Sequence, residues 1–384
     1  MRVLSVFGTR PEAIKMAPVL RALDARSDLF ESLVCVTGQH REMLDQVLNA
    51  FQLRPDVDLH LMTEGQDFPD LAAAALKELA RLIPSMRPDL VLVHGDTTTT
   101  LAAAMAAAYA EVPVAHVEAG LRTGNLRSPF PEEMNRRLAD RLCSYHFAPT
   151  ETARANLLEE GISSSSIRVT GNTAIDALLW MHDMVTDRPE PILRRFAERG
   201  LSLESGRPRV LITAHRRESL QGGLDSICRA VRTLSTRHSH VDWIYPVHLN
   251  PHVRQRVLRI LGKCPRPNLH LLPPLPYPEF VFLMDRCRFV VTDSGGLQEE
   301  GPSLGKPVLV LREVTERPEG VAAGVLKIVG TGEDTIVRWA TRLLNDDEMF
   351  QAMSSGKSPF GDGKAAHRIV EALAQEARKG AATA

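Results

Sequence analysis

Residues 89–100 read Asp-Leu-Val-Leu-Val-His-Gly-Asp-Thr-Thr-Thr-Thr, and this stretch decides the fold. After Asp89, the residues Leu90–Val93 form a continuous apolar run. Such a run is typical of a strand buried on both faces of a parallel sheet. A polar turn follows, and the alanine-rich segment Leu101–Ala110 after it predicts a packed helix. The stretch therefore predicts a strand, a turn and a helix, with polar residues at the carboxyl end of the strand.

The same strand, turn and helix pattern recurs along the chain. Apolar runs of strand length also occur at Val3–Phe7, Leu33–Val36, Val114–Val117, Arg209–Thr213, Trp243–Val247, Leu269–Leu272, Phe289–Thr292 and Pro307–Leu311. Such alternation predicts parallel sheets with helices on both faces. The series pauses between about residues 172 and 205, in a region rich in proline and glycine. We therefore expect an α/β protein with two Rossmann-like domains that face each other across a cleft.

Composition restricts the class of protein. The 384 residues are enough for two domains, and 46 Lys and Arg against 47 Asp and Glu give a formal net charge of -1. No excess of positive charge favours nucleic acid or an anionic membrane as a partner. The five cysteines are scattered, which fits a reducing compartment, and no apolar run approaches the roughly 18 residues of a membrane span. We expect a cytoplasmic protein.

The loop Asp293-Ser294-Gly295-Gly296 follows an apolar run and precedes a helix predicted to begin near Leu297. Ser294 can cap that helix, and free N–H groups beside glycines favour a bound anion. Glu299 and Glu300 lie within the next two turns, where a carboxylate can accept the hydroxyls of a ribose, and Arg317 can reach phosphates. Together they favour a nucleoside diphosphate, whereas the turn alone is equally typical of an ordinary helix start.

The loop Gly8-Thr9-Arg10-Pro11-Glu12 follows the first predicted strand, and Lys15 lies about one helical turn later. This segment matches neither a dinucleotide fingerprint nor a Walker A sequence, so it indicates no dinucleotide cofactor and no ATP. Both Arg10 and Lys15 can reach a diphosphate. Taken alone, such charges at a helix start are more often simply solvated.

Three acids follow successive strand ends, namely Asp96, Glu118 and Glu132. Ligands of open parallel sheets bind beyond the carboxyl ends of the strands, so we expect these acids to converge in one site. Like charges held close raise the pKa of at least one acid, which suits proton transfer near neutral pH. The nearby candidates for counter-ions are Arg122, Arg136 and Arg137.

Histidines suggest phosphate or sugar contacts but no metal. His215 comes directly after a predicted strand, where it can donate to a phosphate or a sugar, although a purely structural histidine fits equally well. His248 and His252 are spaced four residues apart, but Pro251 lies between them and no third ligand is near. We expect no metal site.

Several motifs occur in one order along nearly the whole chain. They are Gly8-Thr9-Arg10-Pro11-Glu12, Gly38-Gln39-His40-Arg41, His94-Gly95-Asp96-Thr97-Thr98, Val117-Glu118-Ala119-Gly120-Leu121-Arg122, Pro131-Glu132-Glu133 with Asn135-Arg136, Thr213-Ala214-His215-Arg216-Arg217-Glu218, Asp293-Ser294-Gly295-Gly296-Leu297-Gln298-Glu299-Glu300, Gly305-Lys306-Pro307-Val308 and Thr315-Glu316-Arg317-Pro318-Glu319. In this combination the chain closely resembles the bacterial non-hydrolysing UDP-N-acetylglucosamine (UDP-GlcNAc) 2-epimerases.

The resemblance implies the GT-B fold, with a C-terminal helix that returns to the first domain. Ala365–Arg378 is the candidate for that helix. The implied division is an N-terminal domain over residues 1–171 with the sugar and acid–base groups, a UDP-binding domain over 172–360, and a terminal segment over 361–384.

The resemblance also implies roles for individual residues. The residues implied at the sugar and diphosphate are Arg10, Lys15, Asp96, Glu118, Glu132 and His215, and those implied at the UDP are Phe280, Ser294, Gly295, Gly296, Glu300 and Arg317. Some members are activated by a second UDP-GlcNAc, and the matching positions are Gln39, Glu42, Gly65, Arg216 and His248. The match is incomplete, because some members have Gln and Arg in place of Glu42 and Gly65.

The implied reaction converts UDP-GlcNAc reversibly to UDP-N-acetylmannosamine (UDP-ManNAc), which would supply a surface polysaccharide. C2–H is too weak an acid for direct removal, so loss of UDP to give 2-acetamidoglucal is expected, with Asp96, Glu118, Glu132 and His215 as the catalytic residues. The family suggests a homodimer that needs no cofactor. The alternatives are a GT-B glycosyltransferase, a hydrolysing relative, an epimerase for another UDP-sugar and a UDP-sugar binding module.

Overall fold

The structure is a computed structural model, and it describes residues 1–38, 41–62, 67–215, 223–263 and 266–383. The chain divides into two compact units. The first comprises Met1–Ala177 together with Gly361–Ala384, and the second comprises Leu178–Phe360. Each unit contains one parallel sheet with helices between its strands, which confirms the predicted α/β class.

The first unit is built around a parallel sheet. Its strands are β1 (Arg2–Phe7), β2 (Glu31–Val36), β3 (Val57–Asp58), β4 (Leu90–His94), β5 (Val114–Val117), β6 (Tyr145–Ala148) and β7 (Ile167–Val169). Within the described ranges they form seven strands in the order β3-β2-β1-β4-β5-β6-β7, each parallel to its neighbours. The helices are α1 (Arg10–Asp24), α2 (Arg41–Ala50), α3 (Phe68–Met86), α4 (Thr98–Tyr109), α5 (Glu132–Leu142), α6 (Glu151–Glu159) and α7 (Thr173–Asp187), of which α7 continues into the second unit.

The second unit repeats this plan. Its strands are β8 (Arg209–Thr213), β9 (Asp242–Pro246), β10 (Leu269–Leu272), β11 (Phe289–Thr292), β12 (Val308–Val310) and β13 (Leu326–Ile328). They form a parallel sheet in the order β10-β9-β8-β11-β12-β13. The helices are α8 (Glu190–Glu198), α9 (Gly223–Arg237), α10 (Pro251–Val257), α11 (Tyr277–Asp285), α12 (Gly295–Ser303), α13 (Pro318–Ala322), α14 (Glu333–Asn345) and α15 (Asp347–Ser354).

Residue size and spacing explain how the helices of the first unit pack. On α3, apolar side chains recur every four residues at Leu71, Ala75, Leu79 and Ile83, and all four are buried. This spacing gives one apolar stripe along a helix. The stripe packs against the alanine-rich α4, whose small side chains allow close approach of the two helices. The result is a dense layer over β4, where every residue is buried.

The last helix, α16 (Ala365–Thr383), belongs to the first unit and packs against α1. Its N-terminal amides are held by Asp176, whose two carboxylate oxygens accept from Ala365 N at 3.2 Å and from Ala366 N at 2.8 Å. Satisfying these amides in this way stabilises a helix start. Across the described ranges, no helix combines the length and apolar content that a bilayer crossing requires.

Sheet order determines which loops lie together. β1, β4 and β5 are neighbours in the first sheet, so the loops at their carboxyl ends share one edge, although they are far apart in the chain. In the second sheet β8 and β11 are neighbours, which brings the loop after Thr213 beside the loop after Thr292. These two edges carry the polar residues that the sequence singled out.

Candidate active site

A pocket of about 370 Å³ lies in the first unit at the carboxyl ends of β1, β4 and β5. Asp96, Glu118 and Glu132 all line it, together with Lys15 from α1. The structure thus brings together the three acids that the sequence predicted to converge. Asp96 and Glu118 come from the loops after β4 and β5, Glu132 begins α5, and each acid has a different electrostatic environment.

Glu118 is held in an unusual backbone conformation against a lysine. Its φ is +67°, a region that costs a non-glycine residue on the order of 1–3 kcal/mol and that occurs often at functional sites. Oε2 forms an ion pair with Lys15 Nζ, and the Glu118 side chain is only 10% exposed. Its other oxygen approaches Gly95, where an added Cβ would lie 3.5 Å from Oε1. Lys15 therefore forms an ion pair with Glu118, and both residues line the pocket.

Asp96 is held by α5. Its Oδ2 forms an ion pair with the guanidinium of Arg136, and its backbone carbonyl accepts from Asn135 Nδ2 at 3.0 Å. Arg136 also lies 3.5 Å from Glu133, which in turn pairs with Arg137 at 3.2 Å. Of the predicted counter-ions, Arg136 therefore pairs directly with a member of the acid trio. Arg137 pairs with Glu133, which lies beside Arg136.

Glu132 is the least neutralised of the three acids. It is the first residue of α5, and its Oε2 is buried with no hydrogen-bond partner within the described ranges. Buried polar atoms are nearly always paired in folded proteins, so an unpaired carboxylate oxygen on a residue that lines a pocket indicates a group that can bind a ligand.

The prediction that Arg122 is a counter-ion of the trio was wrong. Its guanidinium donates to two other acids. Nη2 donates to Asp140 at 2.7 Å, and Nε and Nη2 both donate to Glu160 at 2.8 Å. These acids lie on α5 and directly after α6, and they are far from Glu118 and Asp96 in the sequence. Arg122 therefore supports the wall behind the pocket, while Lys15 neutralises Glu118.

Behind the pocket, His116 connects Asp140 to the loop that carries Asp96. Its Nδ1 lies 2.6 Å from Asp140 Oδ1, and its Nε2 lies 2.7 Å from the carbonyl oxygen of Gly95. Burial disfavours the charged ring, but Asp140 and the two hydrogen bonds outweigh burial and raise the pKa of His116. Burial also opposes ionisation of Asp140, yet His116 and Arg122 lower the pKa of Asp140 to about 2.

Glu12 connects the loops after β1 and β4. Its Oε2 accepts from Gly8 N at 3.0 Å and from Thr9 N at 2.7 Å, and its Oε1 accepts from the Thr97 hydroxyl at 2.7 Å. Thr9 caps α1 in return, which forms a capping box. Glu12 is buried and lines the pocket, so it fixes the relative position of two of the three loops.

Sequence reasoning did not assign roles to His94, Glu12 or His116. Their positions in the chain could have indicated Glu12 and His94. His94 ends β4 and Glu12 lies in the first turn of α1, and the sequence prediction found Asp96 and Glu118 at similar positions after strands. His94 lines the pocket, and its Nε2 lies 3.9 Å from Glu118 Oε2. His116 lies within β5, where a buried charge is not expected from an apolar run.

In the second unit, His215 and the loop after β11 are connected by Asp293. The buried Asp293 carboxylate accepts from His215 N at 2.8 Å and lies 3.5 Å from His215 Nδ1. The imidazole of His215 stacks on that of His248, with ring centroids 5.0 Å apart. β8 and β11 are adjacent, so His215 stands next to the Ser294 turn that the sequence associated with UDP.

The turn after β11 starts α12 at Gly295, two residues before the predicted start. Ser294 is the N-cap residue, but its side chain makes no capping bond, contrary to the predicted cap. Its backbone N–H instead donates to Thr292 Oγ1 at 2.9 Å. A Cβ on Gly296 would meet nothing within 4 Å, so there is space for a group against the start of the helix.

The other residues predicted to bind UDP lie on nearby elements of this unit. Glu300 is buried on α12 and accepts from the Tyr277 hydroxyl at 3.1 Å. Arg317 donates to Glu299 at 2.8 Å and to Glu316 at 2.7 Å, so its guanidinium is held by two acids. Phe280 is half-buried on α11.

The positions implied for a second nucleotide sugar are mostly outside the described residues. Gln39, Gly65 and Arg216 lie outside them, and Glu42 is described only as part of α2, without its side chain. His248 is exposed and stacks on His215. In the part of the chain that the structure describes, no three His, Cys, Asp or Glu side chains form a group suited to a metal ion.

Comparisons with known proteins all point to the same family. The family model described as UDP-N-acetylglucosamine 2-epimerase matches residues 21–374. The UDP-N-acetylglucosamine 2-epimerase of Escherichia coli strain K12 is 52% identical over 97% of this chain and 98% of its own length. The Bacillus subtilis strain 168 enzyme of the same name is 48% identical over 97% of this chain and 95% of its own length.

Solved structures give the same result. The UDP-GlcNAc 2-epimerase from Neisseria meningitidis, bound to UDP-GlcNAc, has a TM-score of 0.91 at 45% identity, covering 98% of this chain and 100% of its own. The Methanocaldococcus jannaschii enzyme in complex with UDP-GlcNAc and UDP has a TM-score of 0.82 at 32% identity, covering 97% and 99%. Sequence and fold agree along nearly the full length, and the chain therefore belongs to the UDP-N-acetylglucosamine 2-epimerases, a family of isomerases with the GT-B fold.

Proposed function

We propose that this protein interconverts UDP-GlcNAc and UDP-ManNAc by eliminating UDP and adding it back, without a cofactor. The observation that carries the proposal is the convergence of Asp96, Glu118 and Glu132 on one pocket, where each has a different environment. Inversion at C2 requires one group that removes a proton from one face and another that returns it to the opposite face. Such groups need different environments, and this pocket provides them.

Elimination explains how C2 becomes reactive. The C2 carbon bears an acetamido group and has no carbonyl beside it, so its proton is held too strongly for direct removal. As the C1–O bond breaks, its electron pair leaves with the diphosphate oxygen of UDP and C1 becomes electron-poor. A carboxylate then takes the C2 proton, and the C–H electrons form the C1=C2 bond of 2-acetamidoglucal. Delivery of a proton to the other face of C2, with return of UDP to C1, gives the epimer.

We assign the two proton transfers to Glu118 and Glu132, with Asp96 as the third member that fixes their surroundings. Glu118 is paired with Lys15 and is anionic, so it can accept a proton. Glu132 has an oxygen that no described group satisfies, so it can exchange a proton with the sugar. Asp96 is tied to α5 by Arg136 and Asn135, which suits a positioning role.

We assign departure and retention of UDP mainly to the second unit. The free amides at the start of α12 and its dipole favour the diphosphate, and Glu300 can accept the ribose hydroxyls. Preorganised donors aimed at a leaving anion often supply the largest catalytic contribution. The remaining residues in this assignment are His215, Phe280, Ser294, Gly295, Gly296 and Arg317, with Arg10 and Lys15 from the first unit. In this proposal residues 1–171 carry the acid–base groups, residues 172–360 bind UDP, and residues 361–384 form the terminal helical segment.

The product is an activated sugar, and the chemical use of such a molecule is glycosyl transfer. We therefore propose that UDP-ManNAc made in the cytoplasm supplies ManNAc units for a surface polysaccharide, and that the protein works as a homodimer. Sedimentation equilibrium of the purified protein tests the second statement, and a single species of 42.4 kDa would contradict it.

The deciding experiment for the activity is incubation of the purified protein with UDP-GlcNAc in D2O, without added metal, followed by proton NMR. We expect UDP-ManNAc to accumulate, with deuterium entering C2 of both nucleotide sugars. Free ManNAc with equal UDP would indicate a hydrolysing enzyme instead. UDP binding without any change at C2 would contradict epimerisation and leave a transferase, another sugar substrate or a binding module.

A further inference from the structure

His94, the last residue of β4, is a buried histidine whose ring forms no hydrogen bond with the part of the chain that the structure describes. It is only 2% exposed, and neither ring nitrogen has a hydrogen-bond partner within the described ranges. Most buried polar atoms in folded proteins are paired, so a histidine with two unpaired nitrogens needs an explanation. His94 also lines the pocket that contains the three acids, so the explanation concerns the site and not only the core.

The carboxylate of Glu118 lies beside the ring of His94. The distance from His94 Nε2 to Glu118 Oε2 is 3.9 Å, which is too long for a hydrogen bond but short enough that a small movement closes it. The same Oε2 is held by Lys15. Two donors, Lys15 from α1 and His94 from β4, therefore stand beside one carboxylate oxygen, and in this structure the lysine occupies it.

His94 is neutral at physiological pH. Burial lowers the pKa of His94 to about 3, more than the nearby Glu118 carboxylate raises it, and Lys15 and His116 lower it further. A neutral imidazole carries one N–H and adds no charge. His94 is therefore unsuited to be a second cation or a general acid here, and what it can offer Glu118 is one hydrogen bond.

We propose that His94 is a positioning residue that donates its Nε2–H to Glu118 when a bound diphosphate draws Lys15 away. This inference rests on the proposed function, because it assumes that Lys15 meets a diphosphate and that Glu118 transfers a proton. Without His94, the Glu118 oxygen would lose the donor that takes the place of Lys15 at the moment Glu118 must act. With His94, the carboxylate keeps its orientation and stays ionised until it takes the C2 proton.

Charged and titratable groups on several elements surround Glu118 and His94. Lys15 and Glu12 on α1, Asp96 after β4 and Glu132 on α5 line the same pocket, and His116 on β5 acts on His94. A donor to the ionised form of a carboxyl group favours that form. Removing the His94 donor should therefore move deprotonation of Glu118 to higher pH. The other groups remain in place in the variant, so their effect on Glu118 is the same before and after the substitution.

The test compares His94→Phe, which fills the space without a donor, with His94→Gln, which keeps an N–H at a similar distance. For H94F we expect kcat to fall about tenfold or more, as for loss of one hydrogen bond to a charged group, with UDP affinity within about twofold. The acid limb of its kcat profile should move to higher pH. H94Q should recover most of the turnover and return the acid limb to the wild-type position.

A matched control separates this effect from general loss of packing. His238 is also buried, lies in the second unit, and bonds to Thr341 at 3.1 Å. H238F should lower the thermal midpoint without moving the acid limb. An H94F enzyme with wild-type kcat and acid limb would overturn the inference. So would an H94Q enzyme as impaired as H94F with an unmoved acid limb, because His94 would then act through packing alone.

The activity of the wild-type protein separates the two possible failures. If wild-type protein leaves C2 unexchanged in D2O, the proposed function fails and this inference fails with it. If wild-type protein exchanges C2 and H94F does so at the same rate and with the same pH dependence, only the inference about His94 fails.

Discussion

Nε2 of His116 lies 2.7 Å from the carbonyl oxygen of Gly95, the residue that precedes Asp96 in the pocket. The other ring nitrogen lies 2.6 Å from the carboxylate of Asp140. Both partners are acceptors, so both ring nitrogens donate and the ring is an imidazolium. The loop that carries Asp96 is therefore held by a buried positive charge, itself balanced by a buried carboxylate.

This arrangement predicts a pH dependence of stability. A histidine with a raised pKa in the folded protein contributes stability that is fully present below its unfolded pKa of about 6.5 and is lost as pH rises through the folded pKa. We expect His116→Asn to lower the free energy of unfolding by about 3 kcal/mol at pH 6, because it leaves Asp140 without its charged partner. Urea unfolding from pH 6 to 9 measures the difference, which should shrink as pH rises.

The exposed His367 provides the control for that experiment. H367N should unfold with the wild-type dependence on pH, because its ring is solvated in both states. A wild-type stability curve that is flat above pH 6.5, or an H116N variant with the same curve as wild type, would contradict a charged His116 in the folded protein.

The two assigned bases should act on opposite epimers. If Glu118 serves one face of C2 and Glu132 the other, Glu118→Gln should abolish exchange and glucal formation from one nucleotide sugar and retain them from the other, and Glu132→Gln should show the reverse. Each should lower overall epimerisation by about 10²–10⁴-fold, the usual contribution of a general base. UDP affinity should stay near the wild-type value in both.

The measurement for the bases is deuterium incorporation at C2, started separately from UDP-GlcNAc and from UDP-ManNAc. Exposed Glu198 gives a control substitution, because E198Q removes a carboxylate that faces solvent in the second unit. Loss of exchange from both epimers in E118Q and in E132Q alike would contradict the assignment of one acid to each face.

Glu12 should matter for stability and for turnover together. Its carboxylate accepts from the backbone amides of Gly8 and Thr9 and from the Thr97 hydroxyl, so Glu12→Ala leaves buried donors on two loops unsatisfied. Such a loss costs about 1–3 kcal/mol per buried group. We expect a lower thermal midpoint and a lower kcat, whereas Thr97→Val, which removes only the hydroxyl, should show a smaller part of both effects. Equal thermal midpoints for E12A and wild type would contradict this role.

The sequence predicted the strand ends well, because apolar runs and the polar turns after them are local features. Asp96 and Glu118 were found in this way, and both line the pocket. The ion pairs of the pocket could not be predicted from such local features, because they depend on the order of the strands in the sheet. Lys15 meets Glu118 across 103 residues because β1, β4 and β5 pack side by side, and no local pattern records which strands are neighbours.

Burial was the second property that the sequence did not reveal. His94 and His116 lie at the end of β4 and within β5, two residues from Asp96 and Glu118, yet one is neutral and the other charged. The difference comes from Asp140, which reaches His116 from α5 but makes no bond to His94. Arg122 was assigned to the wrong acids for the same reason, because nearness in the chain does not show which side chains meet across α5 and α6.

Glu300 provides the test of UDP recognition in the second unit. Its buried carboxylate accepts from the Tyr277 hydroxyl at 3.1 Å, and a carboxylate can accept several donors, among which we propose the ribose hydroxyls. Glu300→Gln should weaken UDP binding by about 10- to 100-fold, since hydrogen bonds to a charged group contribute about 1.5–3 kcal/mol. Tyr277→Phe keeps the carboxylate and removes only its buried donor, so it should weaken binding less than E300Q. Calorimetric titration with UDP measures both, and wild-type affinity in E300Q would exclude Glu300 from the nucleotide site because a neutral amide cannot replace a charged acceptor without loss.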